Sequence, residues 1–106
     1  MIIYGLGACD TCRKARKALP DATFVDVRDD GVPAELLGKA FGVFGDKLLN
    51  TRSTTWRALP ESERNGTPLE LVIKHPLLMK RPLIDDEGAL YLAWTKDVQA
   101  ALLGDD

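Results

Sequence analysis

The chain has 106 residues, 45% of them hydrophobic and 28% charged, with a formal net charge of −2. That balance belongs to one folded domain with its own core, and it excludes an intrinsically disordered chain and a broad nucleic-acid binder. The N-terminus opens on a strand pattern and no apolar window reaches the roughly 18 residues of a membrane span, so the expectation is a single cytoplasmic domain over 1–106, with no membrane or direct nucleic-acid partner and with reduced cysteines.

In chain order, Ile2-Ile3-Tyr4 reads as a strand running into Gly5 and Gly7, and a helix is expected from Asp10 or Thr11. Between them lies Cys9-Asp10-Thr11-Cys12-Arg13-Lys14, which contains both cysteines. Cys9 falls at the helix N-terminus, where unpaired N–H groups and the positive end of the dipole favour thiolate over thiol. Cys12 follows one turn later on the same face, within reach to resolve a mixed disulfide formed at Cys9. Three other assignments compete for this motif: structural zinc, inert buried thiols and a cysteine-phosphatase loop. Zinc wants four ligands, and there is one C-x-x-C and one histidine, His75. Inert thiols fit poorly with a strand-to-helix turn, the setting that makes cysteines reactive. A phosphatase loop needs Cys, five residues, then Arg, but Ala15 and Ala18 stand at the arginine positions.

The first helix should bury Cys12, Ala15, Ala18 and Leu19 and stop at Pro20, leaving Arg13, Lys14, Arg16 and Lys17 as a solvated basic face. Thr23 to Val27 reads as a second strand, which makes the opening a right-handed βαβ unit with parallel strands. From about 29 to 78 the pattern is one of short helices. Pro33 is placed as a first helical residue, with an apolar stripe of Leu36, Leu37, Ala40 and Phe41 ending at Gly42 and Gly45. Residues 48–57 are expected to pass from one short helix into another. Thr67-Pro68-Leu69-Glu70 is a capping box that starts a helix running to about Lys74, and His75-Pro76 ends it. His75 is assigned as a helix C-terminal residue rather than a catalytic one. Leu83-Ile84, a turn at Asp85-Asp86-Glu87-Gly88 and a strand from Ala89 to Trp94 form a hairpin, and Thr95 caps a last helix that buries Val98, Ala101 and Leu102. The terminal Gly104-Asp105-Asp106 is expected to fray. The resulting order, βαβ, helical insertion, ββα, is an α/β fold of thioredoxin type around a four-stranded mixed sheet.

The sequence resembles the thioredoxin-like arsenate reductase (ArsC) family, and within it the YffB-type and Spx-type members. Three blocks carry the likeness: Cys9 to Ala15, Leu48 to Arg57 and Leu78 to Ile84. The resemblance implies that Cys9 is the nucleophile, that Arg52 and Arg81 converge on it, and that the Arg81-Pro82 bond is cis. Thr11, Arg13 and Pro82 are expected in substrate binding, Thr11 through a backbone N–H and a hydroxyl at the first turn of the helix. Two guanidiniums at a helix N-terminus would stabilise a thiolate and hold an oxyanion bidentately. Two features depart from the arsenate reductases. Their third arginine, expected in an Arg-Pro dipeptide near the start of the last helix, is replaced in the stretch Ala93-Trp94-Thr95-Lys96, and Cys12 is a second cysteine that their loop usually lacks.

The implied activity is that of a thiol-dependent reductase with no bound cofactor. It would use glutathione or another small thiol as co-substrate and act on an anionic small molecule or a protein disulfide, with arsenate itself a doubtful substrate. The alternative is an Spx-like redox switch that binds RNA polymerase. That reading predicts polymerase subunits retained from lysate by the oxidised form alone.

Overall fold

A computed structural model describes residues 1–104. The chain divides into two compact units, one formed by Met1–Asp30 with the segment from Arg81 onward, the other by Gly31–Lys80. Among the described residues no helix is long and apolar enough to cross a membrane.

The first unit is built on four strands, β1 (Ile2–Gly5), β2 (Thr23–Asp26), β3 (Leu83–Asp86) and β4 (Ala89–Leu92), in the order β2-β1-β3-β4. β1 pairs parallel with β2, with Ile3 opposite Phe24, and antiparallel with β3, with Ile3 opposite Ile84. The helix α1 (Asp10–Ala18) supplies the crossover between β1 and β2. Side chains alternate along each strand, so Ile3 and Ile84 share one face. There they meet Ala15 of α1 and Val98 of α6 (Lys96–Leu103), with Leu19, Phe24, Tyr91, Trp94 and Leu102 around them. The mixed four-stranded α/β architecture is the one the sequence predicts.

Several boundaries differ from expectation, each for a local reason. Val27 is not in a strand. The Asp26 carboxylate accepts the Arg28 N–H at 2.9 Å, an Asx-type turn that closes β2 and starts the single helical turn α2 (Val27–Asp30). Asp85 and Asp86 belong to β3, and the turn shrinks to Glu87 and Gly88, whose φ of 52° and 99° are the paired positive values of a two-residue hairpin. β4 ends at Leu92 rather than Trp94, because Ala93 has φ 69° and leaves the extended region. Thr95 does cap α6, its hydroxyl accepting the Val98 N–H at 3.3 Å, but Ala101 is exposed while Val98 and Leu102 face the core. The fraying expected of Asp105 and Asp106 lies outside the described residues.

The second unit is helical. α3 (Ala34–Phe44) has Pro33 as its N-cap rather than its first helical residue, and it runs through Gly42 to Gly45, which caps it at φ 59°. The cost of a glycine inside a helix, about 1 kcal/mol relative to alanine, is borne here by the burial of Leu37 and Ala40. A 3₁₀ turn (Gly45–Leu48) leads to α4 (Thr54–Ala58), capped by Ser53, whose hydroxyl accepts the Trp56 N–H at 3.1 Å. α5 (Pro68–Lys74) has the full capping box. The Glu70 N–H donates to Thr67 Oγ1 at 3.2 Å, and the Thr67 N–H donates to Glu70 Oε2 at 3.4 Å. His75 is its C-cap, followed by a 3₁₀ turn over Pro76–Leu78. Leu48, Leu71, Val72, Leu78 and Met79 complete this unit's buried set.

Candidate functional site

Leu6, Gly7 and Ala8 carry the chain from the end of β1 to the start of α1. Backbone donors shape this loop: the Cys9 N–H donates to the Leu6 carbonyl at 3.1 Å, and the Gly7 N–H donates to Asp26 Oδ2 at 3.2 Å. Cys9 then stands as the N-cap of α1 with extended φ −80° and ψ 123°. As a thiol it completes no side-chain capping bond. Its sulfur nevertheless faces the N–H groups of Cys12 and Thr11, the donors that the helix leaves unpaired.

The two thiols are pushed apart in acidity. Burial works against a Cys9 thiolate, but the Cys12 N–H, the Cys12 thiol, the Thr11 N–H and the Arg81 charge work for it, and together they hold Cys9 below the ordinary thiol value. Cys12 is pushed up to about 12, first by burial and then by its contact with Cys9, with the Leu6 backbone and Arg81 opposing. The arrangement therefore separates an anion-ready thiol at the helix end from a protonated one beneath it. Both are free cysteines, Cys12 buried and Cys9 half-buried.

β1 admits Cys12 because residue 5 is glycine. A Cβ there would lie 2.5 Å from Cys12 Sγ and 3.2 Å from Cys12 Cβ. Close backbone approach, not positive φ, is what this glycine provides.

Arg81 opens the return of the chain into the sheet, directly before buried Pro82, and the Arg81–Pro82 peptide bond is cis, as the resemblance implies. The Pro82 carbonyl accepts the Ala93 N–H at 2.8 Å, which ties this turn to the end of β4. Arg13 reaches backwards along α1, donating to Asp10 Oδ1 at 2.8 Å and to the Ala8 carbonyl at 3.2 Å. The structure thus brings Cys9, Thr11, Cys12 and Arg81 together, with Pro82 beside Arg81 and Arg13 bound to the loop before the nucleophile. Arg52 belongs to the helical unit, where it is exposed and its N–H donates to Asn50 Oδ1 at 3.0 Å. Among the described residues no three His, Cys, Asp or Glu side chains group as a metal site.

A family model described as the ArsC family matches residues 4–101. The chain belongs to the ArsC family. An uncharacterized protein of Haemophilus influenzae is 39% identical over 109 residues, covering 93% of this chain and 96% of that one. A solved structure of a YFFB protein superposes with a TM-score of 0.85 at 30% identity, covering 97% of this chain and 98% of the other. An arsenate reductase (ArsC) related protein from Brucella melitensis superposes with a TM-score of 0.67 at 33% identity, covering 97% and 93%.

Within this ArsC-family frame, sequence reading missed one residue that shapes the site. Asp26 grips Gly7 with one carboxylate oxygen and Arg28 with the other, and its carboxyl is held below the usual carboxylate value by these two N–H groups, Gly7 first. The available signal was an aspartate at the end of an apolar strand, opposite Gly5 in the parallel register.

Proposed function

We propose that the chain is a thiol-dependent oxidoreductase in which Cys9 is the nucleophile and Cys12, or a small thiol such as glutathione, resolves the intermediate. The observation that carries this reading is the placement of two adjacent thiols, Cys9 at the N-cap of α1 and Cys12 buried under it, which lowers the pKa of the first and raises that of the second. Membership of the ArsC family and the likeness to an arsenate reductase related protein support the reaction class.

In this mechanism the Cys9 thiolate attacks one sulfur of a disulfide. The S–S bond breaks, the second sulfur leaves as thiolate and takes a proton from water, and a mixed disulfide forms at Cys9. The Cys9 charge that helped keep Cys12 protonated is then gone. Cys12 releases its proton to solvent and attacks Cys9 Sγ, which expels the second substrate thiolate and leaves a Cys9–Cys12 disulfide. Two electrons have passed from the protein to the substrate. Two glutathione molecules restore the dithiol and become one glutathione disulfide. In the alternative route glutathione attacks the mixed disulfide directly and Cys12 stays reduced.

The test is reduction of bis(2-hydroxyethyl) disulfide coupled through glutathione and glutathione reductase. Cys9→Ser should abolish turnover, and Cys12→Ser should retain the glutathione-resolved route. Full activity in Cys9→Ser, or no turnover by the wild type, would remove the proposal.

A further inference from the structure

The outer flank of α1 holds a cleft of about 500 Å³ that the thiol exchange does not use. Arg13, Arg16 and Lys17 form one wall, and Leu19, Pro20 and Phe24 provide apolar surface. The basic residues are exposed, as a solvated helix face should be, and one of them, Arg16, also covers an aromatic side chain of β2. The Arg16 guanidinium lies 4.0 Å from the centroid of the Phe24 ring, a stacked cation–π contact that fixes the guanidinium plane while leaving its N–H edge for another acceptor. Among the described residues neither Arg16 nor Lys17 has an acidic partner within ion-pair distance. Arg13 joins this cleft to the nucleophile, since the same guanidinium that lines it donates to Ala8 and Asp10 on either side of Cys9.

Arg16 and Lys17, with Arg13 already paired to Asp10 beside them, give a local complement for a short anionic ligand rather than a polyanion in a chain whose formal net charge is −2. The apolar floor calls for a ligand with side chains as well as charge. Among the described residues β2 is the edge of the sheet and pairs with β1 alone, so its outer rim carries backbone groups that an extended segment can follow. We propose that this cleft docks an acidic segment of a protein substrate, so that the disulfides reduced at Cys9 are those flanked by Asp or Glu. The inference rests on Cys9 being the nucleophile, because the cleft runs along α1 from Arg13, about one helical turn beyond the Cys9 cap.

The redox step is the one already given; the cleft adds only recognition. A carboxylate in the substrate meets Arg16 bidentately and a second meets Lys17, and a cysteine about three extended residues away reaches the start of α1, roughly 10 Å back along the helix.

Binding can be measured without chemistry. The probes are an acetylated Asp-Glu-Ala-S-methylcysteine amide and its Lys-Lys-Ala counterpart, each titrated into the isotope-labelled protein at low salt and followed by amide NMR shifts. The acidic peptide should move amides of α1 and β2 and bind at least about tenfold more tightly than the basic one. A combined Arg16→Glu, Lys17→Glu variant should reverse that order, and Arg16→Gln alone should weaken acidic-peptide binding severalfold. Equal affinity for the two peptides, shifts confined to other elements, or no binding up to about 10 mM would overturn the cleft. Turnover of the uncharged bis(2-hydroxyethyl) disulfide by the wild type is scored alongside. Peptide preference without turnover removes the thiol mechanism and leaves the cleft, whereas turnover without preference removes the cleft alone.

Discussion

Gly5 and Cys12 occupy a single packing position: a methyl group at residue 5 would sit 2.5 Å from the Cys12 sulfur. Gly5→Ala must therefore displace α1 or rotate Cys12. We expect it to destabilise the protein by about 1–3 kcal/mol, the range for overpacking a buried site. Cys12→Ala in the same chain should recover part of the loss, because the sulfur goes but the 3.2 Å approach to Cys12 Cβ remains. Urea denaturation of the two single variants and the double variant checks this. Simple additivity of the two changes would show that they do not share the space.

The pH dependence of alkylation should separate the two thiols. Since Cys9 lies below the ordinary thiol value, its thiolate fraction and its rate with iodoacetamide should level off at lower pH than those of a free cysteine. Cys12, pushed up to about 12 and buried, should stay unmodified across the same range in the folded protein. Arg81→Ala removes a charge that favours the Cys9 thiolate and should move the Cys9 midpoint upward, whereas Arg81→Lys should restore part of the shift. An unchanged midpoint in Arg81→Ala would take this arginine out of the site.

Asp26 predicts an acid-side effect. Its folded carboxyl titrates below its ordinary value of 3.8, so its stabilising effect is complete above that value and is lost as pH falls through the lower folded one. Asp26→Ala should lower the melting temperature at neutral pH, and the gap to wild type should close below about pH 4. Thermal melts over a pH series measure it. A gap of constant size down to strong acid would mean that the Gly7 and Arg28 hydrogen bonds contribute nothing through the carboxylate charge.

Much of the fold was legible because its signals are local. Thr67-Pro68-Leu69-Glu70 names its own capping box, and Thr95 and the Gly45 stop need only neighbours within a turn. The misplaced boundaries came from residues with two local options. Val27 suits a strand by propensity, yet the side chain of Asp26 bends the chain one residue earlier. Ala93 carries no sign of its left-handed φ, which accompanies the hydrogen bond from its own N–H to the Pro82 carbonyl. Around the candidate site, the N-cap position of Cys9 was visible from the helix signal and the cis Arg81–Pro82 bond from family likeness. The Asp26 grip on Gly7 and the stacking of Arg16 on Phe24 were not visible, because each depends on β2 lying beside β1 and α1.

Arsenate reduction should be poor. Where the family resemblance calls for a third arginine, α6 begins with Lys96 after its Thr95 cap. An oxyanion site short of one bidentate charge-assisted contact of about 1.5–3 kcal/mol would bind about 10- to 150-fold more weakly. Glutathione-coupled turnover of arsenate should therefore fall well below that of small disulfides, and replacing Lys96 with arginine should raise it. Arsenate turnover in the wild type matching its disulfide turnover would show that the lysine suffices.

The order of β2-β1-β3-β4 also has a consequence for biosynthesis. Cys9 leaves the ribosome well before Arg81 and the strand that pairs with the other edge of β1, which follow only after the whole of the helical unit. At typical elongation rates that interval is on the order of ten seconds. Until it ends, the nascent thiol lacks its cationic neighbour and behaves more like an ordinary cysteine. Full reactivity is therefore conferred only once Arg81 has followed the helical unit out.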